Sequence, residues 1–310
     1  MSQPQTHSSS PSPVRRAMLW LAASALAGVL AAPGAAQTST AERPAQRATT
    51  AQATANGRTF TVPFSDPSRP GTLEIHQTQG SIYVEAYDGR DVHFELRLQE
   101  ENDDDDDGDN DDDRRGGLRR FNQPSFQTEV TEEDNVMELN SDSSWSRTVS
   151  VHARVPRRTH LQLECVHSCD LIVKGVTGDH ELTNTHGSIE ALEVGGTVVA
   201  STTHGEVKVV FASLEPGRPM AFSSFHGDVD VTFPPTLKAE VRIDPGNHGE
   251  VYTAFDIVPI ERPTQMREER KGKGVRVVVE REARGTINGG GPEISFKTWH
   301  GTIYIRKKGI

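Results

Sequence analysis

Leu182-Thr183-Asn184-Thr185-His186-Gly187-Ser188-Ile189 and Ala200-Ser201-Thr202-Thr203-His204-Gly205-Glu206-Val207 are two copies of one pattern, 18 residues apart. Phe222-Ser223-Ser224-Phe225-His226-Gly227-Asp228-Val229 is a third copy, and Pro245-Gly246-Asn247-His248-Gly249-Glu250-Val251 a fourth. The last is Phe296-Lys297-Thr298-Trp299-His300-Gly301-Thr302-Ile303. Cys165-Val166-His167-Ser168-Cys169-Asp170-Leu171 is a degenerate early copy, and Thr78-Gln79-Gly80-Ser81-Ile82 stands far upstream. Glycine-to-glycine steps are 18, 22, 22 and 52 residues, and Cys169 lies 18 before Gly187. Recurrence at a short period marks one supersecondary unit used repeatedly.

A polar residue followed by glycine tolerates positive φ, so Gly80, Gly187, Gly205, Gly227, Gly249 and Gly301 are read as tight turns between strands. Ile189, Val207, Val229, Val251 and Ile303 follow their glycines by two, where a side chain returns to the inner face. A unit of 18 to 22 residues holds two or three short strands. The expected fold is all-β: a β-solenoid-like stack of short strands, or alternatively a layered β-sandwich of hairpins, behind a disordered N-terminal tether.

Working outward, residues 1–36 have the form of an export signal. Arg15-Arg16 precedes an apolar run, Ala17 to Ala32, and Pro33-Gly34-Ala35-Ala36-Gln37 offers a small-residue cleavage site. That run is short for a membrane span of about 20 residues. The Arg pair leaves a Sec or a twin-arginine route open, and the mature chain is expected to be extracytoplasmic, with no transmembrane segment. Residues 37–57 have the composition of a linker. From 58 to 160 alternating stretches define a leading β region, interrupted at 101–120 by an acidic loop, and 161–310 forms the repeat region. Asp103, Asp105, Asp107 and Gly108 imitate the start of a calcium loop, yet the twelfth position is Arg114, so a solvated loop is expected. The stretch Arg267 to Lys273 is expected at a solvated hairpin tip.

The 310 residues carry 33 Lys+Arg against 44 Asp+Glu, a net charge of −11, which argues against a nucleic-acid partner. Two cysteines exclude a disulfide-dense scaffold and a multi-cysteine zinc site. In an oxidising compartment Cys165 and Cys169 are expected to form a local disulfide. Fully extended, their Cα atoms would be about 13 Å apart, so the chain must bend between them.

The recurrent T-x-[N/H]-G-x-[I/V] units, with Ile287-Asn288-Gly289-Gly290-Gly291-Pro292-Glu293-Ile294 before the last copy, resemble the bacterial putative-adhesin family. The resemblance runs from Gly71 to Lys307 and implies an exported, envelope-associated repeat of β-strands with no established catalytic residues. The family's usual turn residue is Asn or Ser, where this chain has His.

His186, His204, His226, His248 and His300 are the candidate functional residues. Stacked in register they would form a column about 4.8 Å apart, the spacing of strands in a sheet. Such a column could hold a divalent metal or titrate together. A plainer reading is that His tolerates a left-handed backbone before glycine. The sequence has no nucleophile elbow, zincin motif or phosphate loop. Carboxylates such as Asp228 with Glu206 or Glu250 would suit a carbohydrate-active enzyme, but they occupy a position where Asp, Glu, Ser and Thr interchange. The expectation is therefore a non-enzymatic envelope protein, an adhesin presenting a rigid β surface to an envelope protein or polysaccharide. The alternatives are a periplasmic metal-binding protein and a β-solenoid carbohydrate-active enzyme.

Overall fold

The computed structural model describes residues 50–54, 57–99, 128–141, 148–215, 217–246, 249–260, 266–271, 274–279 and 282–309. The signal-like segment 1–36, the acidic loop 101–120 and His248 lie outside these residues. The described residues are all-β, without a helix.

The leading region contributes β1 (Thr50–Thr54), β2 (Gly57–Pro63), β3 (Gly71–Gln79), β4 (Ile82–Tyr87), β5 (Asp91–Gln99), β6 (Thr128–Glu133), β7 (Val136–Ser141) and β8 (Thr148–Pro156). The repeats begin with β9 (Thr159–His167), β10 (Leu171–Lys174), β11 (Thr177–His186), β12 (Ile189–His204), β13 (Val207–Leu214), β14 (Met220–His226) and β15 (Val229–Phe233). They end with β16 (Ala239–Asp244), β17 (Val251–Thr253), β18 (Ile257–Pro259), β19 (Met266–Lys271), β20 (Gly274–Val279), β21 (Ala283–Ile287), β22 (Glu293–His300) and β23 (Ile303–Lys307). β1 lies in the stretch read as a linker, and it pairs antiparallel with β2. β19 and β20 form a separate antiparallel pair that carries part of the basic stretch.

All other strands belong to one hydrogen-bonded sheet of 21 strands, which divides into two ladders. The first ladder takes the strand before each corner, in the order β7, β3, β9, β11, the second half of β12, β14, β22, β16. The second takes the strand after it, in the order β8, β4, β10, the first half of β12, β13, β15, β23, β17. β12 belongs to both, and it bends at a register shift between Leu192 and Gly195, beside Glu193 and Gly196 at positive φ.

The segments that flank a corner therefore sit in different ladders and do not pair across it; β11 and β13 pair with β12 only through its half remote from the shared corner. This corrects the hairpin reading: the His-Gly corners at Gly187, Gly205, Gly227 and Gly301 are arches that carry the chain across the core, and neighbouring layers stack in parallel. One side chain in two faces inward. Leu163, Leu182, Ala200, Phe222 and Phe296 are in register from the first ladder; Leu171, Ile189, Val207, Val229 and Ile303 are in register from the second, and all ten are buried. Phe211 and Phe233 stack within one ladder at 5.1 Å, Phe222 and Phe296 within the other at 5.5 Å. Phe211 meets Phe222 edge to face across the core, as Phe233 meets Phe296. A single apolar cluster runs from Val62 to Ile305, so the leading region and the repeats share one core.

Chain order and stacking order part company at both ends. The β22/β23 layer lies between the β14/β15 and β16/β17 layers, although β16 and β17 come first in the chain. Likewise β3/β4 lies between β7/β8 and β9/β10. Antiparallel strands finish the ladders: β6 on β7, β5 then β2 on β8, and β21 then β18 on β16.

Candidate functional site

Each corner is built by three residues that face backbone. Three positions before the glycine, a small polar side chain points inward and donates to the corner carbonyl of the preceding layer. Asn184 Nδ2 donates to Cys169 O at 2.6 Å, Thr202 Oγ1 to Gly187 O at 2.9 Å, Ser224 Oγ to Gly205 O at 2.8 Å, and Thr298 Oγ1 to Gly227 O at 3.0 Å. All four side chains are buried, where an unpaired carbonyl would be costly. The glycine N–H then donates to the next layer's histidine carbonyl, Gly187 to His204 at 2.7 Å and Gly205 to His226 at 3.1 Å. A Cβ on Gly187 or Gly205 would fall well inside contact of the carbonyl below, and both have positive φ. Close layer approach, as much as turn geometry, is why glycine recurs.

The residue after the glycine accepts from the same position one layer on. Asp170 Oδ1 takes the Ser188 N–H at 2.9 Å and Asp228 Oδ1 the Thr302 N–H at 2.7 Å. Ser188 Oγ takes the Glu206 N–H in the same way at 3.4 Å, so Asp and Ser serve alike at this position. Asp228 thus has a backbone partner that the reading of it as half of a catalytic pair did not include.

With these side chains engaged, the histidine is left to point outward. His186, His204, His226 and His300 are in register on adjacent strands. Their rings stack face to face, with centroids 4.8, 4.9 and 4.9 Å apart and planes within 6°, 13° and 3° of parallel. All four are exposed. None has a left-handed backbone; among the described non-glycine residues positive φ occurs at Asp134, Asn135, Ser168, Glu193 and Asn288. The plainer explanation of the histidines therefore does not hold. His167 joins the column, its ring edge-on to His186 at 5.1 Å, while the His186 ring lies 3.1 Å from Val166 O through Nδ1. Sequence reading passed over His167 because the extra residue Ser168, at φ +46°, separates it from Cys169. Stacking order is 167, 186, 204, 226, 300, so His300 follows His226 in space.

One strand position before the histidines, Phe225 and Trp299 stack outside the ladder with centroids 5.9 Å apart and planes within 3°. They are 45% and 41% exposed, large areas for such rings on a protein surface. Phe225 also meets His226 at 4.6 Å and His300 at 5.9 Å, both near-perpendicular. Burial beneath its neighbours, then the like charges of His204 and His300, hold the His226 imidazole below its ordinary value.

Among the described residues no three His, Cys, Asp or Glu side chains converge to hold a metal ion. Parallel stacking sets the imidazole nitrogens side by side, whereas a tetrahedral site needs them about 2.0–2.1 Å from one point. Cys165 and Cys169 form a disulfide, Cα atoms 6.2 Å apart, at the corner where Cys169 N donates to His186 O at 3.1 Å in place of a glycine. Gly80 caps the layer below, and Gly301 packs on Gly227 O as the others do. Gly249 packs between Pro245 O and Gly301 O. Among the described residues no helix is long and apolar enough to cross a membrane.

No protein-family model matches the chain, and no curated protein matches it in sequence. Among solved structures the chain is similar to a "putative cell adhesion protein" from Clostridium sporogenes, at 11% identity and a TM-score of 0.40, over 81% of this chain and 100% of that one. It is also similar to a "putative adhesin" from Bacteroides fragilis, at 12% identity and TM-score 0.22, over 82% and 98%. A third, a "putative adhesin" from Parabacteroides merdae, has 10% identity and TM-score 0.24, over 81% and 96%.

Proposed function

We propose that this chain is a non-enzymatic, exported envelope protein of adhesin type, which binds a surface partner along its histidine corner. The observation that carries this reading is the exposed stack of Phe225 and Trp299 against the imidazole column. Exposed aromatic rings held on a rigid ladder lose little conformational freedom when a partner covers them, which favours binding. The corner hydrogen bonds fix that ladder from within, and the outward residues vary without disturbing the core. Export is supported by Arg15-Arg16 and the apolar run that follows.

The test is retention of the purified full chain on an isolated envelope fraction at pH 5.0 and at neutral pH, beside a Phe225→Ser, Trp299→Ser variant with an unchanged circular dichroism spectrum. The variant is expected to bind at least about tenfold more weakly, the loss of one or two aromatic anchors. Equal retention of both proteins, or recovery of the native chain in the cytoplasm, would overturn the reading.

A further inference from the structure

We propose that the histidine corner is a strip for a linear anionic polysaccharide, which lies along the column and binds when the imidazoles are protonated. The inference rests on the binding reading above and names the ligand class of that same site.

Because the rings are stacked and exposed, their faces cover one another and leave ring edges at the surface, with His186 Nδ1 turned to Val166 O and its Nε2 left over. The result is a row of imidazoles whose centroids lie at 4.8–4.9 Å intervals across four layers. Among the described residues, no carboxylate lies within ion-pairing distance of His186, His204, His226 or His300, whereas His76 and His160 each have one and His152 has two. Among the described residues, protons taken up by these four rings therefore have no carboxylate in direct ion-pair contact. The acidic residues that follow the corners at the start of the second ladder are Asp170, Glu206, Asp228 and Glu250. Asp170 and Asp228 are engaged by backbone N–H groups, and Glu250 accepts from Tyr252 Oη at 2.6 Å. On the first ladder, Lys297 pairs with Asp244 and Glu164 with His76.

Mutual repulsion opposes simultaneous protonation of neighbouring rings: after burial, which is the larger cause, the charges of His204 and His300 also lower His226. A chain of anions laid along the row reverses that repulsion, so by linkage ligand and protons strengthen one another's binding. At neutral pH the net charge of −11 repels the same ligand.

Sugar chemistry is favoured over nucleic acid by two features. The layer spacing is close to the length of one pyranose along an extended glycan, whereas duplex phosphates advance about 3.4 Å per strand and wind around the axis. The Phe225–Trp299 ledge offers apolar ring surface beside the row, suited to the C–H face of a sugar.

The experiment titrates an oligogalacturonate of defined length into the full chain at about pH 7.5 and pH 5.0. Affinity is expected to rise at least about tenfold at the lower pH, the yield of one linked proton, and to fall with added salt. A His204→Gln, His226→Gln, His300→Gln variant is expected to lose the rise. No rise, or a rise retained in that variant, overturns the proposal. Equal, equally pH-dependent binding of a single-stranded oligonucleotide overturns the polysaccharide assignment. If the variant folds poorly, the imidazole titrations of the wild-type chain decide by nuclear magnetic resonance: the oligogalacturonate must raise their midpoints, and unchanged midpoints overturn the proposal. Envelope retention at pH 5.0 that survives the histidine substitutions leaves the wider function standing while this inference fails.

Discussion

At the scale of single residues, the corner separates what must be glycine from what is free to vary. A methyl group at Gly205 has no room, because the Gly187 carbonyl occupies its place and φ is +148°. Gly205→Ala is expected to lower stability by about 2 kcal/mol or more, read as a fall in urea midpoint, since neither backbone can retreat without moving a layer. Thr202→Val keeps the buried volume but removes the donor to Gly187 O; about 1–2 kcal/mol of loss is expected by the same measurement. A third expectation concerns His180, which is buried, lies 3.3 Å through Nε2 from Val176 O, and is held down to about 4 chiefly by its burial. Unfolded, that imidazole titrates near 6.5, so the unfolded chain takes up the proton first as pH falls. The neutral ring's contribution is complete above about pH 6.5 and is lost progressively towards pH 4, about 3 kcal/mol in all. His180→Leu is expected to flatten stability against pH in that window, and an unchanged slope would assign the acid sensitivity elsewhere.

At the scale of elements, the repeat could be read but not its order of stacking. The 18-residue steps put β9/β10, β11/β12 and the following layer in sequence, because so short a loop reaches only the adjacent slot. The 52-residue step before Gly301 is long enough for any slot, and the corner motif fits each equally well, so nothing in the sequence placed β22/β23 inside β16/β17. The spacing offered a histidine column as one of two readings, with His248 between His226 and His300; the structure stacks His186, His204, His226 and His300, and His248 lies outside the described residues. The column's full extent was not legible: Ser168 hid His167, and the inward Asn184, Thr202, Ser224 and Thr298 look like ordinary strand polar residues until their carbonyl partners are seen. The insertion has a measurable consequence. Removing residues 293–310 takes away β22 and β23, and with them the layer partners of β14/β15 and β16/β17. Amide exchange in β16 and β17 is expected to become fast, while β9 to β12 keep their protection, since each layer is stabilised mainly by its neighbours. Uniform loss of protection would mean that the stack behaves as one indivisible unit.

For the whole molecule, the two crossed ends and the sequential middle imply an order of assembly. Layers from β9 to β15 join strands close in the chain, so their loop-closure cost is smallest and they are the natural nucleus. At the far end β22 and β23 must enter between strands that precede them, a contact that rewards the chain only after β14, β15, β16 and β17 have positions. The same holds at the other end, where β3/β4 is covered by β7/β8, which come later in the chain. Leu182, buried at the centre of β11, is therefore expected to act early: Leu182→Ala should cost about 2–5 kcal/mol and slow refolding by most of that amount. Ile294, buried in β22, belongs to the late step. Ile294→Val should cost about 0.5–1.5 kcal/mol and appear almost wholly as faster unfolding, leaving the refolding rate nearly unchanged. Stopped-flow chevrons of the two variants separate these cases. If Ile294→Val slows refolding in proportion to its destabilisation, the C-terminal layer is already in place at the transition state, and the middle of the stack cannot be where folding begins.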